Sequence, residues 1–307
     1  MRKILRDIKK YIFSTDDFSL AKYNEGFRYP VDLEFTLEEQ EFYYRPVDES
    51  GIPYKVYASV GRQYNPTRIA AYALAHYNSY IGDQSRFKKQ IFLKCADWFL
   101  EKSTARYEYN FDWEDLKAPW ISCMAQGEAA SVLVRAYKLT GNNAYLEQAE
   151  KSLEPLYCSI DEGGVQSKLS DGSLFVEEYP SKNPTHVLNG FLYTLIGLGE
   201  VADVTGSQKH QELFSQLIAS LRHNIGLWNH RKWSLYEDPT TANGINYCTP
   251  SYHNLQLSQL KWLCQRVDAP EIEKVLVFWE GGLSSLSSRL CAFCGKVYFR
   301  LLNRAQR

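Results

Sequence analysis

The chain has 307 residues, with 35 Lys and Arg against 36 Asp and Glu, and a formal net charge of −1. At 45%, hydrophobic residues are too frequent for a disordered chain and ordinary for a folded one. The balanced charge excludes the basic footprint of a dedicated nucleic-acid binder, and no run nears the ~18 apolar residues of a membrane-spanning helix.

In chain order, MRKILRDIKKYIF has charges throughout and no unbroken apolar core, so it does not read as a secretory signal. Ile4, Leu5, Ile8 and Ile12 form an amphipathic stripe. Docking on the chain's own domain is expected, with membrane-surface contact through residues 1–13 as the alternative. Residues 31–60 hold the alternating, aromatic-rich runs VDLEFTL, EFYYRPV and YKVYASV, which predict short strands or a hairpin.

From Pro66 the pattern becomes helical. Four segments each read as an apolar-periodic helix, a turn and a second amphipathic helix. The turns fall at Gly82, Gly141, Gly206 and Asp268, roughly 60 residues apart, and glycine suits the left-handed position after a helix. Four helical hairpins can close on themselves, first helices inside and second helices outside. The expected fold is therefore mainly α, an α/α toroid or barrel, with residues 1–58 as an N-terminal extension and 59–307 as the barrel domain. A further apolar helix is expected around LCAFCGKVYFRLL.

The connections 104–120, 160–183 and 227–249 are long, which marks functional loops. DEGGVQSKLSDGSLFVEEYP predicts a β-hairpin, and WSLYEDPTTANGINY a similar one turning at Asn243-Gly244. In a toroid such loops gather at one mouth. Tyr, at 22, outnumbers both Gly at 18 and Phe at 15, and Tyr107, Tyr109, Tyr179, Tyr236, Tyr247 and Tyr252 lie in or beside these loops. Rings with polar tips suit sugars, whose faces stack and whose hydroxyls need partners.

Seven cysteines (95, 123, 158, 248, 264, 291 and 294) are scattered and odd in number, so no disulfide framework is expected. Cys291-x-x-Cys294 lacks a second ligand pair and reads as buried thiols. With no signal peptide apparent, the free thiols predict a cytoplasmic protein. No phosphate loop, dinucleotide fingerprint or G-x-S-x-G elbow occurs.

Two chemistries remain open from the residues. Paired loop carboxylates could hydrolyse a glycosidic bond. The candidates are Asp112, Glu114 and Asp115, then Glu177 and Glu178, then Glu237 and Asp238. Alternatively, tyrosines on opposite sides of a sugar ring could remove and return a proton, provided the base is tuned by its surroundings.

The runs PWISCMAQGEAASVLVRAYKLTGN, VEEYPSKNPTHVLNGFLYTLIGL and SYHNLQLSQL resemble the C-terminal domain of D-glucuronyl C5-epimerases, over roughly residues 60–275. Members of that family convert D-glucuronate to L-iduronate within heparan-type polymers. The resemblance implies an α/α barrel, a uronic-acid polysaccharide or oligosaccharide as partner, and a homodimer. It implies active-site roles for Tyr179 of EEYP and the preceding Glu178, for Tyr236 of WSLYED and for Tyr252 of SYHNLQL. Tyr252 and the Glu178/Tyr179 pair become the two-sided acid/base apparatus, and Tyr236 orients the substrate. Trp120, Gln126, Asn183, Asn189 and His253 are the expected lining residues.

Two departures stand out. The family carries an Arg shortly after the tyrosine matching Tyr236, suited to gripping the uronate carboxylate; here the run is YEDPTT. Either Arg62 or Lys182 is the expected substitute, or the substrate differs. Longer members also carry a β-barrel domain before the helical one. Proton exchange needs no redox cofactor, so neither cofactor nor metal is expected. The alternatives are a uronan lyase, which shares the first proton abstraction, and a non-catalytic glycan-binding relative.

Overall fold

The computed structural model describes residue 11, residues 18–21 and residues 27–303. The stripe Ile4, Leu5, Ile8 and Ile12 lies outside them.

Four helical hairpins follow one another. They are α1 (Pro66–Asp83) with α2 (Arg86–Leu100), and α3 (Cys123–Thr140) with α4 (Asn143–Ser152). Then come α5 (Leu188–Thr205) with α6 (Gln208–Asn224), and α7 (Pro250–Cys264) with α8 (Pro270–Ser284). The C-terminal helix α9 (Leu286–Leu302) completes the set. First helices pack on first helices: α1 on α3, α3 on α5, α5 on α7. This is the α/α toroid arrangement, and burial records it. In α5 every residue from Leu188 to Ala202 is buried, whereas α2 buries only Phe92, Cys95, Ala96 and Phe99, one face at helical spacing.

Starts and stops follow side-chain chemistry. The Asn65 side chain caps α1, accepting from the Arg68 amide at 3.1 Å, and Pro66 supplies the preset first residue. Gly141 and Gly206 end α3 and α5 in the left-handed conformation, with φ of 72° and 67°. The first turn departs from expectation. Gly82 lies inside the last turn of α1, and Gln84, at φ 56°, is the left-handed residue.

The contact between α3 and α5 is the closest in the barrel. A Cβ on Gly127 would lie 2.6 Å from Thr194 Cα, and one on Gly197 would lie 2.0 Å from the Gly127 carbonyl oxygen. Both obstacles are backbone, so neither can swing aside. Gly197→Ala should therefore cost about 1–3 kcal/mol or more through overpacking, read as a lowered urea midpoint. An unchanged midpoint would contradict this packing.

The N-terminal strands are corrected in part. VDLEFTL and EFYYRPV each contribute a single helical turn, Phe35–Glu38 and Gln40–Tyr43, while Val31 pairs antiparallel with Leu20 and Val47 with Pro53 across the expected turn. Asp32 Oδ1 accepts from the Glu34 amide at 2.9 Å, and the buried Thr36 hydroxyl pairs with Tyr44 Oη at 2.7 Å. These local bonds favour a turn over a strand. YKVYASV does begin a hairpin, with β1 (Lys55–Tyr57) antiparallel to β2 (Gly61–Gln63). Tyr29, Val31, Leu33, Tyr44 and Ile52 share one core with the helices.

The second expected hairpin is present: β3 (Gln166–Lys168) pairs with β4 (Leu174–Val176), turning through Gly172 at φ 86°. The third is shifted. β5 (Asn229–His230) and β6 (Trp233–Ser234) turn at Arg231-Lys232, and a single Leu235–Tyr247 bridge closes the longer Asn243-Gly244 loop. Both Arg231 and Lys232 have positive φ, as a two-residue hairpin turn requires.

The helix α9 lies against the β5–β6 segment. Tyr11, Trp233, Leu235, Tyr247 and Ala292 form a small second core, and a Cβ on Gly295 would collide with the Tyr247 ring at 2.3 Å. The buried-thiol expectation fails for Cys294, which is exposed, and Cys291 is half-buried. The apolar stripe of α9 points Ala292 and Phe299 inward and leaves Cys294 on the outer face.

Candidate active site

Residues from the first half of each inner helix line one cavity of about 510 Å³: Arg68 of α1, Glu128 of α3, Asn189 and Tyr193 of α5, and Tyr252 of α7. A second cavity, of about 910 Å³, opens among the long loops and α9. Tyr179, Tyr236, Tyr252 and Thr249 line both. The three tyrosines expected at the site therefore stand together where two sugar-sized cavities meet.

Glu178 and Tyr179 follow directly on β4, which ends at Val176. Alternation along that segment sends Glu177 and Glu178 to different surroundings. Glu177 is 1% exposed, bonds His186 Nδ1 at 2.6 Å and accepts from the Ser167 hydroxyl. Glu178 lies against α5, where a Cβ on Gly190 would fall 2.5 Å from its Oε2. The glycine of VLNGF is thus the gap that admits the carboxyl.

Burial holds the Glu178 carboxyl far above the usual carboxylate range, at about 7, against the lowering influence of the Tyr179 and Tyr236 hydroxyls. These two phenols are within hydrogen-bonding reach of Glu178 and of each other. Its Oε2 is buried without a hydrogen-bond partner. Burial, then the nearby Glu178 charge, raises both phenols well above their ordinary value.

Tyr252 occupies the third position of α7. The helix begins at Pro250, and the Thr249 side chain accepts from the Tyr252 amide at 3.4 Å. Its ring meets that of Tyr236 edge-on at 5.7 Å and is 42% exposed, open to the cavity. Enclosure by the cavity walls, then Glu178, pushes its phenol up to about 12. At neutral pH the three tyrosines are protonated, and Glu178 is the group poised between charge states.

The other expected lining residues separate. Asn183 lines the outer cavity, and Asn189 the inner one, with Oδ1 buried and unbonded. Trp120 stacks on Tyr109 at 4.2 Å and supports Tyr179 at 6.0 Å, behind the cavity walls. Gln126 is fully buried and serves backbone instead: its side chain accepts from the Tyr107 amide and donates to the Ala105 and Ser152 carbonyls. His253 is sandwiched between Trp233 and Trp279, accepts from Ser234 through Nδ1 and donates to the Trp279 carbonyl through Nε2. Burial drives its pKa down to about 3, so it stays neutral.

Arg62 bridges to Asp48 at 3.5 Å and stacks over Tyr54 at 4.1 Å, away from both cavities. Lys182 is exposed beside the lining residues Ser181 and Asn183. Of the loop carboxylates, Glu114, Asp115 and Glu237 reach the outer cavity, while Asp112 pairs with Lys117 at 2.7 Å and Asp238 caps Thr240. Of the other tyrosines near the loops, Tyr107, Tyr109 and Tyr247 are buried packing residues.

Sequence reasoning missed Glu128. It is 1% exposed, one oxygen has no partner, and burial followed by Glu178 holds its pKa well above the ordinary value. Its position within the buried run of α3 offered no signal beyond a charge on an apolar helix face. Among the described residues, no group of three His, Cys, Asp or Glu is placed to hold a metal ion, and no helix is long and apolar enough to cross a membrane.

The fold is that of helical α/α barrels. A polysaccharide lyase superposes with TM-score 0.51 at 14% identity, over 82% of this chain and 70% of that one. A GH76 α-mannanase of Bacteroides thetaiotaomicron superposes with TM-score 0.50 at 13% identity, over 91% and 81%. The chain belongs to the family described as D-glucuronyl C5-epimerase C-terminus, whose model matches residues 101–281. A D-glucuronyl C5-epimerase of Caenorhabditis elegans is 30% identical over 212 residues, 62% of this chain and 34% of that protein. An uncharacterized protein of Methanocaldococcus jannaschii is 26% identical over 161 residues, 52% of this chain and 51% of that one. The chain thus spans about a third to a half of the length of these relatives.

Proposed function

We propose that this chain epimerises uronic acid residues at C5 within a polysaccharide, D-glucuronate to L-iduronate, with a heparosan-like polymer as substrate. The observation that carries the reading is Glu178. It is a buried carboxyl held at about 7, beside two phenols, and it lines the inner cavity next to the tyrosines that line both. A C5 proton next to a carboxylate is weakly acidic, so its removal needs a base tuned to the working pH and stabilisation of the enolate. Glu178, with Tyr179, takes the proton from one face. Tyr252, a neutral phenol, returns one to the other. Tyr236 holds the sugar between them. The reverse reaction exchanges the roles.

The sign of the pH dependence follows. The base form of Glu178 fills as pH rises through about 7, so C5 exchange should climb through that pH and level off above it. Glu178→Gln should remove this limb and lower the rate by about 10²–10⁴-fold. Deuterium uptake at C5, followed by NMR across pH 5.5–9, measures both. A full rate in the Gln variant would overturn the assignment.

A homodimer belongs to the same proposal, on the strength of family resemblance, and sedimentation reads it directly. The seven free cysteines support a reducing compartment such as the cytoplasm.

A further inference from the structure

The loop after Tyr236 supplies no cation: Glu237, Asp238 and Pro239 follow it. Yet abstraction at C5 piles charge onto the carboxylate, and a cation there lowers the barrier. A cation beside Tyr236 comes from elsewhere in the chain. Lys296 of α9 lines the outer cavity, with Nζ 5.8 Å from the centre of the Tyr236 ring. It is aimed by a short chain of polar groups. Lys296 Nζ donates to Asn246 Oδ1 at 2.6 Å, and Asn246 Nδ2 donates to Glu237 Oε1 at 2.6 Å. The amide is thereby fixed in one orientation. Packing holds the helix in place, since Gly295 lets α9 sit flush on the Tyr247 ring. Arg300, one turn on, lines the same cavity.

Two other cations are engaged elsewhere. Arg62 is committed to Asp48 and Tyr54. Arg68 lines only the inner cavity, and its guanidinium donates to the Arg45 carbonyl at 3.1 Å.

We propose that Lys296, oriented by Asn246 and Glu237, binds the carboxylate of the uronate being epimerised. This deepens the epimerase reading and rests on it. The residue lies beyond the stretch matched by the family model, which ends at residue 281.

The test compares the wild type with Lys296→Met and Lys296→Arg, with thermal melts confirming that each folds. Deuterium exchange at C5 of heparosan should fall about 10²-fold in Lys296→Met and recover in large part in Lys296→Arg. Titration with heparosan oligosaccharides should show at least about tenfold weaker binding by Lys296→Met. Oligosaccharides with carboxyls reduced to alcohols should bind the wild type and Lys296→Met equally. Equal affinity of wild type and Met variant for the uronate form would overturn the proposal, and that comparison stands whether or not exchange occurs. A wild type that binds but never exchanges would instead sink the epimerase reading.

Discussion

Tyr252→Phe removes one oxygen and should lower C5 exchange by about 10²–10⁴-fold while leaving the fold intact. The ring stays, and its edge-on contact with Tyr236 at 5.7 Å does not use the hydroxyl. The side chain is open to the cavity, and the cap on α7 is made by its backbone amide. Stability should therefore change by no more than about 0.5 kcal/mol. On the proposed mechanism, what is lost is the proton donor. A phenol held near 12 is a neutral acid at working pH, and phenylalanine has no proton to give. NMR detection of deuterium at C5, together with a urea melt, separates the two effects. A variant that exchanges at the wild-type rate would remove Tyr252 from the mechanism.

The largest stability effect is expected at a buried ion pair that lines neither cavity. Arg135 of α3 and Glu200 of α5 make a two-pronged ion pair at 2.6 and 2.7 Å, and both side chains are 0% exposed. The guanidinium also donates to the Ser131 and Arg28 carbonyls and faces the Tyr29 ring at 5.0 Å. Glu200→Ala leaves a buried cation without its counter-charge and should cost about 3–5 kcal/mol in a urea titration. Replacing both partners with apolar residues of similar size should restore most of it, because the desolvation cost of the pair then disappears as well. A single-variant loss under about 1 kcal/mol would mean that the pair does not lock α3 to α5.

Much of the fold was legible because inner and outer helices leave different traces. Ile69, Tyr72, Ala73, His76 and Tyr77 are all buried on α1, as their spacing implied. Gly141 and Gly206 marked true helix ends, whereas Gly82 did not, because a helix can run two residues further and close on a left-handed Gln84. In VDLEFTL, alternation over so few residues fits a single helical turn as well as a strand. The Asx bond from Asp32 that settles the choice is invisible in a hydropathy pattern.

The candidate site was legible where motif and geometry coincide. Glu178, Tyr179, Tyr236 and Tyr252 come from three separated segments and converge. His253 and Gln126 sit in the same motifs yet face packed interior, since a motif does not say which side of a helix points at the cavity. Glu128 was hidden among the alanines of α3, and Lys296 in a C-terminal helix that reads as apolar. Both become visible only when the helices are placed around the tyrosines.

The proposed reaction exchanges protons at C5 with solvent without breaking the polysaccharide chain. The direct measurement is incubation of heparosan with the wild-type protein in heavy water, followed by NMR of the uronates and ultraviolet absorption of the product. Deuterium at C5 in both glucuronate and iduronate, with no unsaturated product absorbing in the ultraviolet, is the predicted result. Unlabelled sugar across a panel of uronate polymers, or cleavage to an unsaturated uronate, would contradict it.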